Sequence, residues 1–348
     1  MQSPQQNHTR RIVLLLASGT LVGACAGSPG NESSGLTEPN GDTASGGAVG
    51  SGGEVSVGTG AVGSGSASSG GPSASGGANG TATGGQASAG ETGTATTTGV
   101  VIFHASFEAH SAGAYSESMV KEDFGATPSW NDGLDEGRAL VVDAGGNKFL
   151  RVNYSAGEYG PGAGGVQFRI PFEQSYQELY LAYRVRFQEA YDWVKGGKLP
   201  GLIGGSAPTG CVQDDTGFSA RMMWRAEGKA VQYIYYPNKV QTCGDDFDYL
   251  DGANKPLTFV PGSWHWVQHR IVMNDDGTKN GIMQSWMDGV LALDLQDFEW
   301  RVNGASYGVD GFYFSTFFGG GDASWAPSQS QIVDFDEILV STSSISFK

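Results

Sequence analysis

Between residues 198 and 236 the chain carries cations and phenols of the types that move protons beside an anion. The run Gly217-Phe218-Ser219-Ala220-Arg221-Met222-Met223-Trp224-Arg225 alternates like a strand, and period two places Ser219, Arg221 and Arg225 on one face. After Ala226-Glu227-Gly228, a return run ending Tyr233-Ile234-Tyr235-Tyr236 puts Tyr233 and Tyr235 together on one face. Whether those faces coincide depends on the connection. A two-residue turn at Glu227-Gly228 pairs positions summing to 455 and sends the tyrosines to the other side. A three-residue loop with Gly228 left-handed pairs positions summing to 454, setting Arg221 opposite Tyr233 and Ser219 opposite Tyr235. The same sum sets Cys211 opposite Cys243, which favours the three-residue loop. Upstream, the glycines around Lys198 suggest an ammonium aimed at a particular place, although alone they read as a turn with solvated lysines.

The elements that must position these groups are short strands. Runs such as Lys148–Tyr154, Leu179–Phe187 and Trp264–Val272 alternate with aromatic and β-branched residues. Asn131-Asp132-Gly133, Asp275-Asp276-Gly277 and Asp288-Gly289 read as turns between them. No stretch of ordinary helix length shows helical periodicity. This predicts an all-β fold, a two-sheet antiparallel β-sandwich of jelly-roll type over residues 99–348. Phe103–Glu108 and Ile332–Val340 are expected side by side as first and last strands. Glu108 or Asp336 could hold a structural Ca²⁺, hydrogen-bonded carboxylates at strand ends being the plainer expectation. His265 and His269 share a strand face and read as structural; no metal site is expected. A last segment, Phe312 to Pro327, runs from an apolar strand into a Gly-rich loop whose Trp325 suits a sugar face.

Three segments in this order resemble polysaccharide lyase family 14, the alginate- and glucuronan-degrading enzymes. They are Lys195-Gly196-Gly197-Lys198-Leu199-Pro200-Gly201-Leu202, Phe218-Ser219-Ala220-Arg221-Met222-Met223-Trp224-Arg225, and Phe314-Ser315-Thr316-Phe317-Phe318-Gly319-Gly320. The resemblance spans most of residues 99–348 and implies a β-jelly roll that cleaves a polyuronate by β-elimination. Its catalytic groups would fall on Lys198, Ser219, Arg221, Tyr233 and Tyr235; the nearby cations Lys195 and Arg225 and the aromatic Trp325 are expected to bind substrate. Elimination removes the proton at C5 of a uronate and expels the oxygen at C4. The C5 proton is acidic only when the adjacent carboxylate is neutralised, which suits Arg221 or Lys198. Tyrosine, with an unperturbed pKa of about 10, serves as base or acid when its surroundings tune it. Lys198 is equally open as cation or base. No cofactor is required, and the expected partner is an anionic polysaccharide met by a monomer. A tethered, non-catalytic carbohydrate-binding module is the rival reading. A sandwich glycoside hydrolase is disfavoured, because Asp334-Phe335-Asp336-Glu337 does not supply the usual paired carboxylates.

The net charge of −16 is shared unequally. Two of the 20 basic and five of the 36 acidic residues precede residue 99, leaving 18 and 31 in the domain. That balance excludes nucleic acid as a partner and demands that a polyanion meet a locally clustered minority of Lys and Arg. Arg10-Arg11, the apolar run Ile12–Leu16 and Leu21-Val22-Gly23-Ala24-Cys25 read as a lipoprotein signal over residues 1–24 with lipidation at Cys25. Residues 25–98 read as a Gly/Ser/Thr/Ala-rich tether with a reach of roughly 45 Å. The protein is thus expected in the cell envelope, anchored to a membrane by lipid. There a disulfide is the default for Cys211 and Cys243.

Overall fold

Strand β1 (Ala95–Thr97) pairs with the last strand of the chain, 250 positions away, so the folded domain begins before residue 99. The computed structural model describes residues 93–348; the signal run, Cys25 and the tether up to residue 92 lie outside the described residues. A three-residue strand has no periodicity to announce itself, and β1 exists because its partner is there.

After β1 come β2 (Val101–Ala105), β3 (Gly113–Ala114) and helix α1 (Glu117–Phe124). Then follow β4 (Asn131–Asp132), β5 (Ala139–Asp143), β6 (Lys148–Tyr154), the one-turn α2 (Gly160–Ala163), β7 (Gly165–Tyr176) and β8 (Glu178–Phe187). The middle of the chain forms β9 (Gly196–Gly205), β10 (Gly217–Arg225), β11 (Ala230–Tyr235) and β12 (Asp245–Asp248). It closes with β13 (Trp264–Val272), β14 (Gly281–Met287), β15 (Val290–Phe298), β16 (Val309–Phe317), β17 (Gln331–Ser341) and β18 (Ile345–Phe347).

These strands make an antiparallel sandwich. One sheet has seven strands in the order β12-β11-β10-β9-β16-β7-β4. The other has nine, β15-β14-β13-β8-β17-β6-β5-β3 with β2 also on β17, so the first and last long strands do lie side by side. Asp288-Gly289, both at positive φ, turns β14 into β15 as its sequence suggests. Asn131-Asp132 does not turn; it forms edge strand β4, and Gly133 at φ 93° makes the bend. Helix α1 is the other departure from the reading. Ser116 caps its start, left-handed Gly125 ends it, and its eight residues are too few to show a period.

Between the sheets the core is aromatic. Trp224 packs against Phe187, Tyr191 and Phe318, while Phe124 of α1 stacks on Phe312. Each such side chain contributes about 1.5–3 kcal/mol on burial. His269 sits fully buried in this layer, its imidazole pushed down to about 3 by desolvation. His265 is held by Asp288 and by the Val260 amide, a structural role. Glu108 takes the Lys148 amide, and Asp336 is engaged by Asn147, Arg184 and the Glu337 amide. No group of three or more potential ligands that could hold a metal ion exists among the described residues.

The register of β9 matters most for the site. Arg221 faces Gly201 and Met222 faces Leu199, so Pro200 has no partner across the ladder. Proline lacks the amide a ladder needs, and a bulge accommodates it. The bulge's carbonyl accepts the Tyr183 hydroxyl from the opposite sheet. With one residue absorbed, Leu199 and Leu202 both point into the core. Lys198 and Gly201 then share the outer face. A Cβ on Gly201 would lie 2.0 Å from the Ala220 carbonyl oxygen and 2.5 Å from the Arg221 Cα. Gly201→Ala is therefore expected to cost about 1–3 kcal/mol, read as a fall of several degrees in Tm, with β10 displaced under Arg221.

Candidate active site

The hairpin takes the three-residue connection. Ser219 pairs with Tyr235 and Arg221 with Tyr233, the register summing to 454, and Gly228 is left-handed at φ 75°. Glu227 is left-handed too, at φ 63°. Cys211 and Cys243 form a disulfide with Cα atoms 3.9 Å apart, beyond the paired part of the strands. The core-side Gln232 anchors this hairpin from beneath. Its amide nitrogen donates to the Arg221 carbonyl, and its oxygen accepts from Tyr249 and from Ser285 of the other sheet.

The outer face of the seven-stranded sheet carries a cleft of about 600 Å³. Lys198 of β9, Arg221 of β10, Tyr233 and Tyr235 of β11 and Trp325 all line it. The Tyr233 and Tyr235 hydroxyl oxygens are 3.2 Å apart. Each also accepts a backbone N–H at 3.0 Å, Tyr233 from Gly244 and Tyr235 from Cys211. The disulfide thus clamps together the two loop segments that supply these donors. One phenol donates to the other, so one phenolic proton is left for a group in the cleft. Arg221 donates from Nη1 to Ser315 at 3.2 Å and keeps a buried Nε–H without a protein acceptor. A buried donor left so is costly unless a ligand supplies the oxygen.

Lys198 is the unusual group. Its side chain is 8 % exposed, and its Nζ lies 3.7 Å from the Tyr233 ring centroid and 2.7 Å from the Met223 sulfur. Burial first, then the Arg221 and Arg225 charges, hold its pKa well below that of a free lysine, against a smaller opposing pull from Asp246. The Tyr233 hydroxyl moves the other way. Burial and the neighbouring Tyr235 raise its pKa, while the Gly244 amide and Arg221 oppose part of the rise. The cleft therefore pairs an amine inclined to be neutral with a phenol inclined to keep its proton.

The remaining expected site residues are placed differently. Ser219 is fully buried and donates to the Pro208 carbonyl at 2.7 Å. The loop through Thr209, Gly210 and Cys211 forms the cleft wall, so Ser219 does not line the cleft. Its hydrogen bond pins that loop. Arg225 forms an ion pair with Asp246 at 2.6 Å and lies 5.9 Å from the Trp325 ring. Lys195 is exposed, donates to Ser324 and stacks 5.7 Å from Trp325. Neither lines the cleft, and both lie beside Trp325. Among the cleft residues not picked from the sequence are Trp130, Gln167, Arg169 and Tyr313. The alternation of Val166-Gln167-Phe168-Arg169-Ile170 was the available signal for two of them.

The family model for polysaccharide lyase 14 matches residues 142–338. No curated protein matches the chain. Among solved structures, that of alginate lyase Aly36B superposes with a TM-score of 0.59 at 25% identity, covering 69% of this chain and 96% of that one. A double variant of the same enzyme in complex with an alginate trisaccharide gives 0.60 at 26% identity over 70% and 98%. The alginate lyase of Aplysia kurodai shares the fold, with a TM-score of 0.57 at 23% identity over 70% and 100%. So does alginate lyase vAL-1 from a Chlorella virus, at 0.54 and 22% over 67% and 99%.

Proposed function

The chain belongs to polysaccharide lyase family 14, and from that premise we propose that its cleft cleaves an alginate- or glucuronan-type polyuronate by β-elimination. The observation that carries the mechanism is the pairing of a buried, depressed-pKa Lys198 with a raised-pKa Tyr233 beside Arg221. Arg221 takes the uronate carboxylate and lowers the cost of charge at C5. Neutral Lys198 takes the C5 proton; the electron pair left behind forms the C4–C5 double bond. The C4–O4 bond breaks, and a phenolic proton of the Tyr233–Tyr235 pair passes to O4. The structures solved with alginate oligosaccharides support this substrate class for a chain of the same fold.

The basic cleft also resolves the charge problem. A domain rich in acid concentrates Arg221 and Arg169 along one groove, where the local field attracts a polyanion. Export as a lipid-anchored envelope protein through Cys25 fits the disulfide, which belongs to an oxidising compartment.

The test is ultraviolet absorbance of residues 93–348 mixed with alginate, glucuronan and other polyuronates. Unsaturated ends are expected to accumulate on one class, and Tyr233→Phe is expected to slow their release by about 10²–10⁴-fold. Absence of signal on every polyuronate, with binding retained, would leave a carbohydrate-binding module instead.

A further inference from the structure

The cleft holds a second arginine that the elimination does not use. Arg169 comes from β7, and its guanidinium carbon lies 4.7 Å from the Tyr313 ring centroid and 5.7 Å from that of Trp130. Its Nη2 donates to the Ala207 carbonyl at 2.9 Å, while its Nε–H is buried without an acceptor, as in Arg221. Tyr313 stands between the two arginines, with Arg221 5.1 Å from the same ring. Tyr313 is itself fixed, donating to Gln167 at 2.6 Å, and Gln167 donates to Asp132 at 2.6 Å.

From Tyr313 the row continues in both directions. Arg221 is 5.8 Å from the Tyr233 ring, Arg225 is 5.6 Å from the same ring, and Trp325 closes that end. Rings and guanidiniums thus alternate from Trp130 to Trp325. Like charges in a partly buried groove repel, and burial together with Arg221 pushes the Arg169 pKa down. A chain bearing one carboxylate per sugar supplies both what the charges and what the orphan Nε–H groups lack. Past Arg169 a smaller hollow of about 230 Å³ ends against Asp310, whose carboxylate accepts the Gly205 amide. A further sugar carboxylate would be repelled there, so the basic row stops at Arg169.

We propose that Arg169, framed by Trp130 and Tyr313, is a separate subsite for the carboxylate of the uronate next along the chain from the one on Arg221. This rests on the polyuronate reading above and extends it. The enzyme then reads two consecutive acidic sugars and prefers a homopolyuronate to a polymer in which uronates alternate with neutral sugars.

The experiment separates the subsite from the chemistry by measuring binding in a Lys198→Met background. Calorimetry of a homopolyuronate oligosaccharide is expected to show about tenfold or more loss of affinity for Arg169→Gln. Arg169→Lys, which keeps the charge, is expected to recover much of that loss. In the active enzyme Arg169→Gln should raise KM by a similar factor with kcat within about threefold, and should lose the preference for homopolymer over alternating polymer. Unchanged affinity in Arg169→Gln overturns the subsite. So does an equal loss in both variants accompanied by a lower Tm, since that pattern means Arg169 only holds the Ala207 loop. If the enzyme releases no unsaturated ends from any polyuronate, the elimination reading fails while the binding data still decide Arg169.

Discussion

Lys198→Met is expected to lower kcat on the preferred polyuronate by about 10²–10⁴-fold, with the fold intact and KM changed little. Methionine matches the length and fills the space beside Met223 but takes no proton. The sign of the pH dependence follows from the depressed pKa. Below it Lys198 is an ammonium and cannot act as base, so kcat/KM falls as pH drops through that value. The raised Tyr233 pKa keeps the phenol protonated well into alkaline pH, so activity holds there. The same substitution is expected to raise Tm at neutral pH. A lysine whose folded pKa lies below its unfolded one destabilises the fold at low pH, and that penalty fades as pH rises towards the unfolded pKa. The Tm gain should therefore be larger at neutral than at strongly alkaline pH, a trade of stability for activity. Stopped-flow absorbance and calorimetry across pH check both halves. Activity within a few fold of the parent in Lys198→Met would assign the base elsewhere.

How much of this site could be read without coordinates depends on whether the determinants were local. The Arg221–Tyr233 register was legible, because Gly228 and the two cysteines constrain one hairpin. Grouping Lys198 with them needed the family resemblance, since the Pro200 bulge breaks the period-two count that would have given its face. Ser219 shows the limit of face counting. It shares a face with Arg221, yet the loop that covers it is fixed by tertiary contacts to Pro208 and the disulfide. Arg169 and Tyr313 lie on strands whose faces alternation shows, but their place in the site was hidden for another reason. They join the site only because β16 lies between β9 and β7, an order no local pattern encodes. The same non-locality hid β1, whose partner is the C-terminal strand.

Arg221→Ala carries the second large expected effect, because this guanidinium has two tasks. The first is to meet the carboxylate as charge develops at C5. Losing one such donor typically costs about 10²–10³-fold in kcat, and KM should rise as well, since the ground state also uses the contact. The second task is electrostatic. Arg221 is the largest charged contributor to the depressed Lys198 pKa, after burial itself. Without it the lysine holds its proton more tightly, so the acid limb of kcat/KM moves to higher pH. Part of the rate lost at neutral pH should then return on raising the pH, which a carboxylate-binding role alone would not produce. Arg221→Lys, keeping a charge without the planar fork, is expected to restore the position of the limb better than the maximal rate. Because the two residues act on one proton transfer, Arg221→Ala combined with Lys198→Met should cost far less than the product of the single losses. Full pH–rate profiles of the four proteins decide it. An acid limb that stays put in Arg221→Ala would mean the titrating group is not Lys198, and the base would have to be sought in the Tyr233–Tyr235 pair.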